Sequence, residues 1–229
     1  RVWDAGGGGG RSLQGHERDV YDVGFSPEGK TLASSGEDAT VRLWDVASGQ
    51  ARVLRGHEQT VMRLAFSPDG AALATTSVDK TVRLWDLASG SSRVLRGHKL
   101  NVIALAFSPD GHRLATGGMD EAIRLWGVAS GEARVLKGSQ GVVLSITFSA
   151  DGRTLAAGGV ARAVSLWDLE SGARRTLRGQ GGMASTLGFT PDGEVLACAC
   201  GDRAVRLWDV ATGEMWGLHG HQGPVSDIA

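Results

Sequence analysis

The sequence predicts an all-β fold built from one short unit that repeats along the chain. Two markers lead to this prediction: tryptophan recurs every 41 residues, and a Ser-Pro-Asp-Gly turn or a close variant recurs in the same register. Between these markers, short runs alternate apolar and polar side chains, which is typical of half-buried strands. Short strands with turn signals about every 8–12 residues indicate a closed or stacked array of antiparallel sheets.

Three series of residues define the repeat and keep one register without insertion or deletion. The tryptophan series is Trp3, Trp44, Trp85, Trp126, Trp167 and Trp208, and Asp follows all of them except Trp126. The second series is Gly-His or a variant, at 15–16, 56–57, 97–98, 138–139, 179–180 and 220–221. The third series is the turn, at 26–29, 67–70, 108–111, 149–152 and 190–193.

Each period contains four short strands, as the second full unit shows. We expect its strands at 61–66, 72–76, 81–85 and 93–96. The first ends at a turn in which Pro68 presets the first bend and Gly70 accepts a positive φ. In the third, Val82 and Leu84 alternate with Arg83, so one face is apolar.

Paired Gly-His and Trp-Asp dipeptides, about 26 to 30 residues apart in a repeat of about 40, resemble the WD40-repeat family. The resemblance covers essentially the whole chain. It implies a β-propeller of four-stranded antiparallel blades around a channel. The blade bodies would lie near 20–55, 61–96, 102–137, 143–178 and 184–219.

The two ends of the chain fall at different points of the repeat. Arg1 aligns with Arg83 and Ala229 with Ala65, so we expect one propeller domain over 1–229, with five full blades. Residues 1–14 and 225–229 would share a partial sixth blade. Six periods would need 17 residues more than the 229 present. The alternative is an open arc of a larger ring, which would expose strand edges. The chain begins without Met, so we expect a fragment.

The resemblance also implies a structural hydrogen-bond tetrad in the second unit: His57, Ser77, Asp79 and Trp85. Partial tetrads would be His16, Asp38 and Trp44; His98, Asp120 and Trp126; and Asp202 with Trp208, with Gly36, Gly118 and Cys200 at the position of the hydroxyl.

The same residue types form hydrolase triads. A triad occurs once, however, and needs an exposed nucleophile, whereas this set repeats and ends on a Trp whose N–H needs a partner. We therefore expect no catalytic residue and no enzyme. The fourth unit has lost the set, so we expect apolar packing to hold it.

Partner binding in this family often involves residues just inside the first strand of each blade. The matching positions are Tyr21, Met62, Ile103 and Leu144, with Arg63 in a polar rim. Four large apolar side chains from consecutive blades would suit a peptide or a helix face; the alternative is packing between blades. Trp216 replaces an Arg that recurs in the other outer strands, so it is a second candidate contact, unless it lies flat on its own blade.

Composition excludes several classes of function. The net charge is −1, whereas nucleic acids and anionic membranes attract proteins with clustered positive charge. Single arginines recur on the third strands, one blade apart, and we expect them to pair with nearby acids. They are Arg42, Arg83, Arg124 and Arg206.

Two cysteines two residues apart favour a reduced, cytoplasmic protein over a disulfide scaffold. They lack the partners of a metal site, and we expect no cofactor.

The sequence therefore predicts a non-catalytic scaffold that binds a protein or peptide on the loop face of the propeller. The alternative is a regulatory or sensor domain of a larger signalling protein that contains an NTPase or kinase, with other domains of the same chain as partners. An Arg-, Ala- and Gly-rich composition indicates a bacterial source.

Overall fold

The computed structural model describes residues 1–3, 9–139, 141–179 and 181–228. Across these ranges the regular structure consists of 22 strands without any helix, so there is no helix that could cross a membrane. The strands form five four-stranded antiparallel sheets and one two-stranded sheet. The fold is all-β, as the repeat predicts.

Each four-stranded sheet, or blade, takes its strands in chain order from one repeat. Blade one contains β3 (Val20–Phe25), β4 (Thr31–Gly36), β5 (Thr40–Asp45) and β6 (Ala51–Arg55). Blade two contains β7 (Val61–Phe66), β8 (Ala72–Ser77), β9 (Val82–Asp86) and β10 (Ser92–Leu95). Blade three contains β11 (Val102–Phe107), β12 (Arg113–Gly118), β13 (Ile123–Gly127) and β14 (Ala133–Leu136). Blade four contains β15 (Val143–Phe148), β16 (Thr154–Gly159), β17 (Ala163–Asp168) and β18 (Arg174–Arg178). Blade five contains β19 (Ala184–Phe189), β20 (Val195–Cys200), β21 (Val205–Asp209) and β22 (Met215–Leu218).

The turn between the first two strands of a blade is closed by its own side chains. In blade two, Ser67 Oγ donates to Asp69 (2.5 Å) and accepts the Ala72 amide (2.9 Å). Gly70 completes the turn with a φ of 71°, a conformation that costs little only for residues without a Cβ. The turn motif therefore fixes the register of each first hairpin.

The core lies between neighbouring blades. Between blades one and two, one face contributes Ala33, Val41, Leu43 and Leu54, and the opposite face contributes Val61, Leu64, Leu73 and Trp85. Equivalent clusters occupy later blade interfaces. Because a second strand such as β8 faces a neighbour on both sides, it is buried along nearly its whole length. Apolar burial between stacked faces is the main stabilising term.

The first strands of successive blades contact one another, so they are the inner strands. Each one contains a β-bulge where it pairs with the second strand. A bulge inserts one unpaired residue and redirects its side chain. The inserted residues are Tyr21, Met62, Ile103, Leu144 and Ser185.

Arginines on four of the outer strands connect a sheet to the next one along the chain. Arg52 Nη1 donates to the Leu87 carbonyl (2.9 Å) in the turn of the following blade. Similar bonds join Arg11 to Ala47 (2.8 Å), Arg93 to Ala129 (2.7 Å) and Arg175 to Ala211 (2.8 Å). These bonds link neighbouring blades at the rim, far from the inner strands.

The sixth sheet consists of β1 (Val2–Trp3) and β2 (Gly10–Arg11). The expectation that 225–229 adds a first strand to it is not met, since 219–228 contain no strand and Ala229 lies outside the described residues. This segment instead bonds to blade five, where Thr186 Oγ1 donates to the Ser226 carbonyl (3.0 Å). It therefore follows an inner strand without joining a ladder.

Candidate functional site

Three blades contain a chain of side-chain hydrogen bonds that runs from a buried Trp to an Asp in a loop. In blade two, Trp85 Nε1 donates to Thr75 Oγ1 (2.9 Å), and Thr75 Oγ1 lies 2.8 Å from His57 Nε2. His57 Nδ1 lies 2.8 Å from Asp79 Oδ2. The same chain joins Trp44, Ser34, His16 and Asp38 in blade one, and Trp126, Thr116, His98 and Asp120 in blade three.

The hydroxyl in this chain is Thr75, and the expectation that Ser77 fills that role is wrong. Ser77 Oγ donates to the Gln59 carbonyl (3.1 Å) and accepts the Asp79 amide (3.0 Å). Residues two apart on a strand point to the same face, so the sequence pattern does not distinguish them.

The glycines at the Ser77 position in other blades are therefore not lost hydroxyls. Blades one and three have complete chains despite Gly36 and Gly118. In blade three, a Cβ at Gly118 would overlap the Asn101 carbonyl oxygen, so that blade favours glycine here for steric reasons.

The bonding partners assign a direction to the protons in blade two. Asp79 accepts bonds from the Thr81 hydroxyl (2.6 Å) and the Glu58 amide (3.0 Å), so it is a carboxylate and His57 Nδ1–H donates to it. His57 Nε2 then accepts the Thr75 hydroxyl proton, and Thr75 Oγ1 accepts from Trp85. Burial by itself raises the pKa of Asp79, but its hydrogen bonds to His57 and Thr81 outweigh burial and hold the pKa well below its usual range.

In the other two tetrads, burial and hydrogen bonds likewise shift the pKa values of the acidic or histidine side chain. Burial raises the pKa of Asp38, but bonds from the Thr40 hydroxyl, the Glu17 amide and His16 lower it to about 2. In blade three, burial lowers the pKa of His98 because it disfavours the imidazolium form. A neutral imidazole beside a carboxylate is the form that this chain of hydrogen bonds needs.

The geometry does not support a hydrolase triad. Thr75 and Ser77 are both fully buried, and the Thr75 proton is directed at His57. A nucleophile must reach its substrate, and neither hydroxyl does. The tetrads instead satisfy buried polar groups and connect the loops to the blade body.

Blades four and five replace this chain with simpler bonds. Ala157 and Cys198 stand one repeat and two repeats after Thr116, where a hydroxyl would be needed. The indoles of Trp167 and Trp208 donate instead to the carbonyls of Lys137 and Arg178, each at 3.2 Å.

In blade five, the acidic residue of the partial tetrad, Asp202, also has a different partner. Asp202 bonds to Arg206 (2.6 Å) instead of to a histidine. Gln180, at the histidine position, lies outside the described residues.

The loops that carry the tetrad His and Asp residues lie on one face, which we call the loop face. It comprises the loops before each first strand and the loops that join each second strand to its third. Backbone amides of the second group donate to carbonyls of the first: Glu37 to Asp19, Val78 to Thr60, Met119 to Asn101, Val160 to Val142 and Gly201 to Met183, at 2.9–3.1 Å. Each blade thus presents two joined loops.

The predicted contact residues differ in how far they reach solvent. Tyr21 is 47% exposed, Arg63 is exposed, and Met62 and Leu144 are half-buried. Ile103 is only 9% exposed, so the alternative of packing inside the blade array describes it better. The apolar arc proposed from the sequence is therefore interrupted at blade three.

A second apolar group on the loop face was not predicted. Its four members are exposed by 42–49%: Leu100, Met119, Val160 and Met183. Comparing the repeats could have revealed this group from the sequence. Leu100 and Met119 are equivalent to Arg18 and Glu37 of blade one. In blade one these two residues form an ion pair (3.3 Å). Blades three to five therefore add exposed apolar side chains to the loop face, among exposed charges such as Lys99, Glu121 and Arg162.

Two of the four third-strand arginines bind backbone carbonyls, so the expected pairing with acids is wrong for Arg83 and Arg124. Arg83 Nη2 donates to the Gly56 carbonyl (2.7 Å), and Arg124 Nη2 donates to the Gly97 carbonyl (2.5 Å). Arg83 also lies over the Trp85 ring, at 5.6 Å from its centroid. Arg206 is the member that pairs with an acid, Asp202.

Trp216 and the two cysteines lie on blade five. Trp216 is opposite Leu207 on outer strand β22 and is partly exposed. Cys198 and Cys200 are buried free thiols with their sulfurs 3.0 Å apart. Within the described part of the chain, no group of three or more His, Cys, Asp or Glu side chains is arranged to hold a metal ion.

Comparison with known families agrees with this architecture. The family model described as IFT122 first beta-propeller matches residues 48–229. The model described as WD domain, G-beta repeat matches residues 10–45. No curated protein matches the chain. WD40 propellers are typically non-catalytic and generally mediate protein–protein interactions. With the repeat register, the tetrads and these matches together, the chain belongs to the WD40 β-propeller family.

Proposed function

We propose that this protein is a non-catalytic scaffold that binds a protein or peptide on its loop face. The observation that carries the proposal is the group of four exposed apolar side chains on that face. Leu100, Met119, Val160 and Met183 come from loops that backbone hydrogen bonds join in pairs. Clustered exposed apolar residues on a rigid surface are typical of interaction sites.

The rest of the loop face contributes charged side chains and loops that hydrogen bonds hold in place. Glu17, Arg18 and Glu37 give blade one a charged edge, so a ligand with an apolar segment beside a charged one would bind in a single orientation. The tetrads hold the loops of blades one to three, which reduces the entropy lost on binding. Tyr21 adds an aromatic contact at this end.

The cellular setting that we propose is the cytoplasm. Two free, buried thiols support a reducing compartment. Partners in this setting include other domains of a longer signalling chain, which would use the same apolar group.

The proposal is tested by selecting ligands from a random peptide display library with the full chain. Selected peptides are then measured against the double variant Met119→Ser, Met183→Ser. We expect at least about a tenfold loss of affinity, because two exposed apolar contacts are removed. The matched control is Val135→Ser, an equally exposed apolar residue on outer strand β14. Equal binding by all three proteins would refute the loop face as the site.

A further inference from the structure

Exposed positive charge is concentrated on the part of the loop face that carries the apolar group. The cations there are Lys99, Arg162 and Arg203 in the loops of blades three, four and five, and Arg96, Lys137 and Arg178 where outer strands β10, β14 and β18 lead into those loops. All of them are exposed, and among the described residues none of them forms an ion pair. The exposed acids are Glu121 and Asp202, and Asp202 is already paired with Arg206. This part of the loop face therefore has a surplus of positive charge.

The loops of blades one and two carry nearly balanced charge. Their acids are Glu17, Asp19, Glu37 and Glu58, and their cations are Arg18, Arg55 and Lys80. Lys99 stands where blades one and two have Glu17 and Glu58, so the charge is reversed at one equivalent position. The loop face therefore changes from nearly neutral to basic between blade two and blade three.

Blades three and four each have a neighbouring blade on both sides. Inner strand β11 contacts β7 and β15, and β15 also contacts β19. The exposure of the side chains on their loops is therefore set by blades that the structure describes.

Hydrogen bonds join the loops of these two blades into one surface. The amides of Met119 and Val160 donate to the carbonyls of Asn101 and Val142, at 2.9 and 3.1 Å. The Ser139 hydroxyl of blade four donates to the Glu121 carbonyl of blade three. The cations and the apolar side chains of blades three and four therefore lie on connected loops.

We propose that the segment bound by the loop face is an acidic peptide of a partner protein, with Asp or Glu residues flanking its apolar residues. This inference rests on the proposed function and specifies the chemistry of its ligand. The apolar residues of the peptide contact Leu100, Met119, Val160 and Met183, which supply most of the affinity. Its carboxylates contact cations such as Lys99, which steer the peptide to blades three to five and set its orientation.

The charge distribution fits a short peptide better than a membrane or a nucleic acid. A membrane surface or a duplex that covered the loop face would also lie over Glu17, Asp19 and Glu58, whose carboxylates repel phosphate groups. A short peptide can be confined to blades three to five. It also offers apolar side chains to the apolar group, which a phosphate backbone does not.

The test begins by selecting peptides from a random display library with the full chain. We expect the enriched peptides to combine net negative charge with apolar residues. Their affinity is then measured by calorimetry for wild type and for the double variant Lys99→Glu, Arg162→Glu. We expect a loss of at least about tenfold, because two attractive contacts become repulsive.

The matched control is the double variant Lys30→Glu, Arg153→Glu. It changes the net charge equally, but its two exposed residues lie in the turns between first and second strands, at the opposite end of the blades. It should bind within about twofold of wild type. Urea unfolding of both double variants verifies that they fold.

Three results would overturn the inference. One is enrichment of peptides with neutral or positive net charge. Another is equal binding of the enriched peptides by wild type and by Lys99→Glu, Arg162→Glu. The third is binding of phosphatidylserine vesicles or duplex DNA that this variant abolishes, because the cations would then serve a membrane or a nucleic acid.

The same peptides test the proposed function separately. If they lose affinity for Met119→Ser, Met183→Ser but are not acidic, the loop-face scaffold stands and the acidic ligand does not. If they bind Met119→Ser, Met183→Ser as well as wild type, or if no peptide is enriched, both proposals fail.

Discussion

Replacing Thr75 with Val tests the hydrogen-bond chain of blade two. Valine keeps the shape of the side chain and removes only the hydroxyl. The Trp85 indole N–H and the His57 Nε2 atom then lose their shared partner, and both are buried. Each buried polar group left unpaired costs about 1–3 kcal/mol. The free energy of unfolding should therefore fall by about 2–6 kcal/mol.

Two neighbours on the same strand serve as controls. Ser77→Ala removes bonds to the Gln59 carbonyl and the Asp79 amide, which are only partly buried, and should cost about 0.5–1.5 kcal/mol. Thr76→Val removes a buried hydroxyl that has no partner among the described residues, so it should be neutral or stabilising.

The assay is urea unfolding with an unchanged m-value, so that a shift in midpoint reports stability. A cost for Ser77→Ala or Thr76→Val that equals or exceeds that of Thr75→Val would refute the assignment of Thr75.

Three further predictions concern acid, local opening and thiol reactivity. The pKa of Asp38 is about 2 in the folded state and about 3.9 in an unfolded chain, so its stabilisation is present above about pH 4 and is lost towards pH 2. Acid titration of Asp38→Asn should show a shallower loss of stability, and a slope equal to wild type would contradict this. Hydrogen exchange should be faster in blade four (143–178) than in blade two (61–96), because blade four lacks the tetrad; the reverse order would disprove that reasoning. Hydrogen bonding to Cys200 and burial raise the pKa of the Cys198 thiol, so Ellman's reagent should react with it only at the rate at which blade five opens; immediate labelling would contradict burial.

The sequence was sufficient for the strand order of the blades and for most of the tetrad. A repeat without insertions aligns every Trp, His and Asp, so the residues that must meet are identified by register alone. The sequence could not distinguish Thr75 from Ser77 as the hydroxyl of the tetrad, because both side chains lie on the same face of β8. Only the position of the Trp85 ring distinguishes them.

The contact surface was less predictable because it depends on packing between repeats. Tyr21 and Ile103 occupy equivalent bulges, yet Tyr21 is exposed and Ile103 is buried. The first strand of blade one has exposed side chains at Val20, Val23 and Phe25, while the first strand of blade three contacts the first strands of blades two and four. The carbonyl partners of Arg83 and Arg124 were missed for a similar reason, since a sequence shows acidic side chains but not the direction of a backbone carbonyl.

The inner-strand bulges have a consequence for how binding preference can change. Each bulged residue is excluded from the ladder, so its side chain contributes little to strand pairing. The five positions already contain Tyr, Met, Ile, Leu and Ser on nearly identical backbones. Ile103 is buried, but the other four side chains are exposed or half-buried, so single substitutions there would alter shape and polarity on the inner strands while leaving the blades intact. A library that varies only Tyr21, Met62, Leu144 and Ser185 would sample many surfaces on one unchanged scaffold.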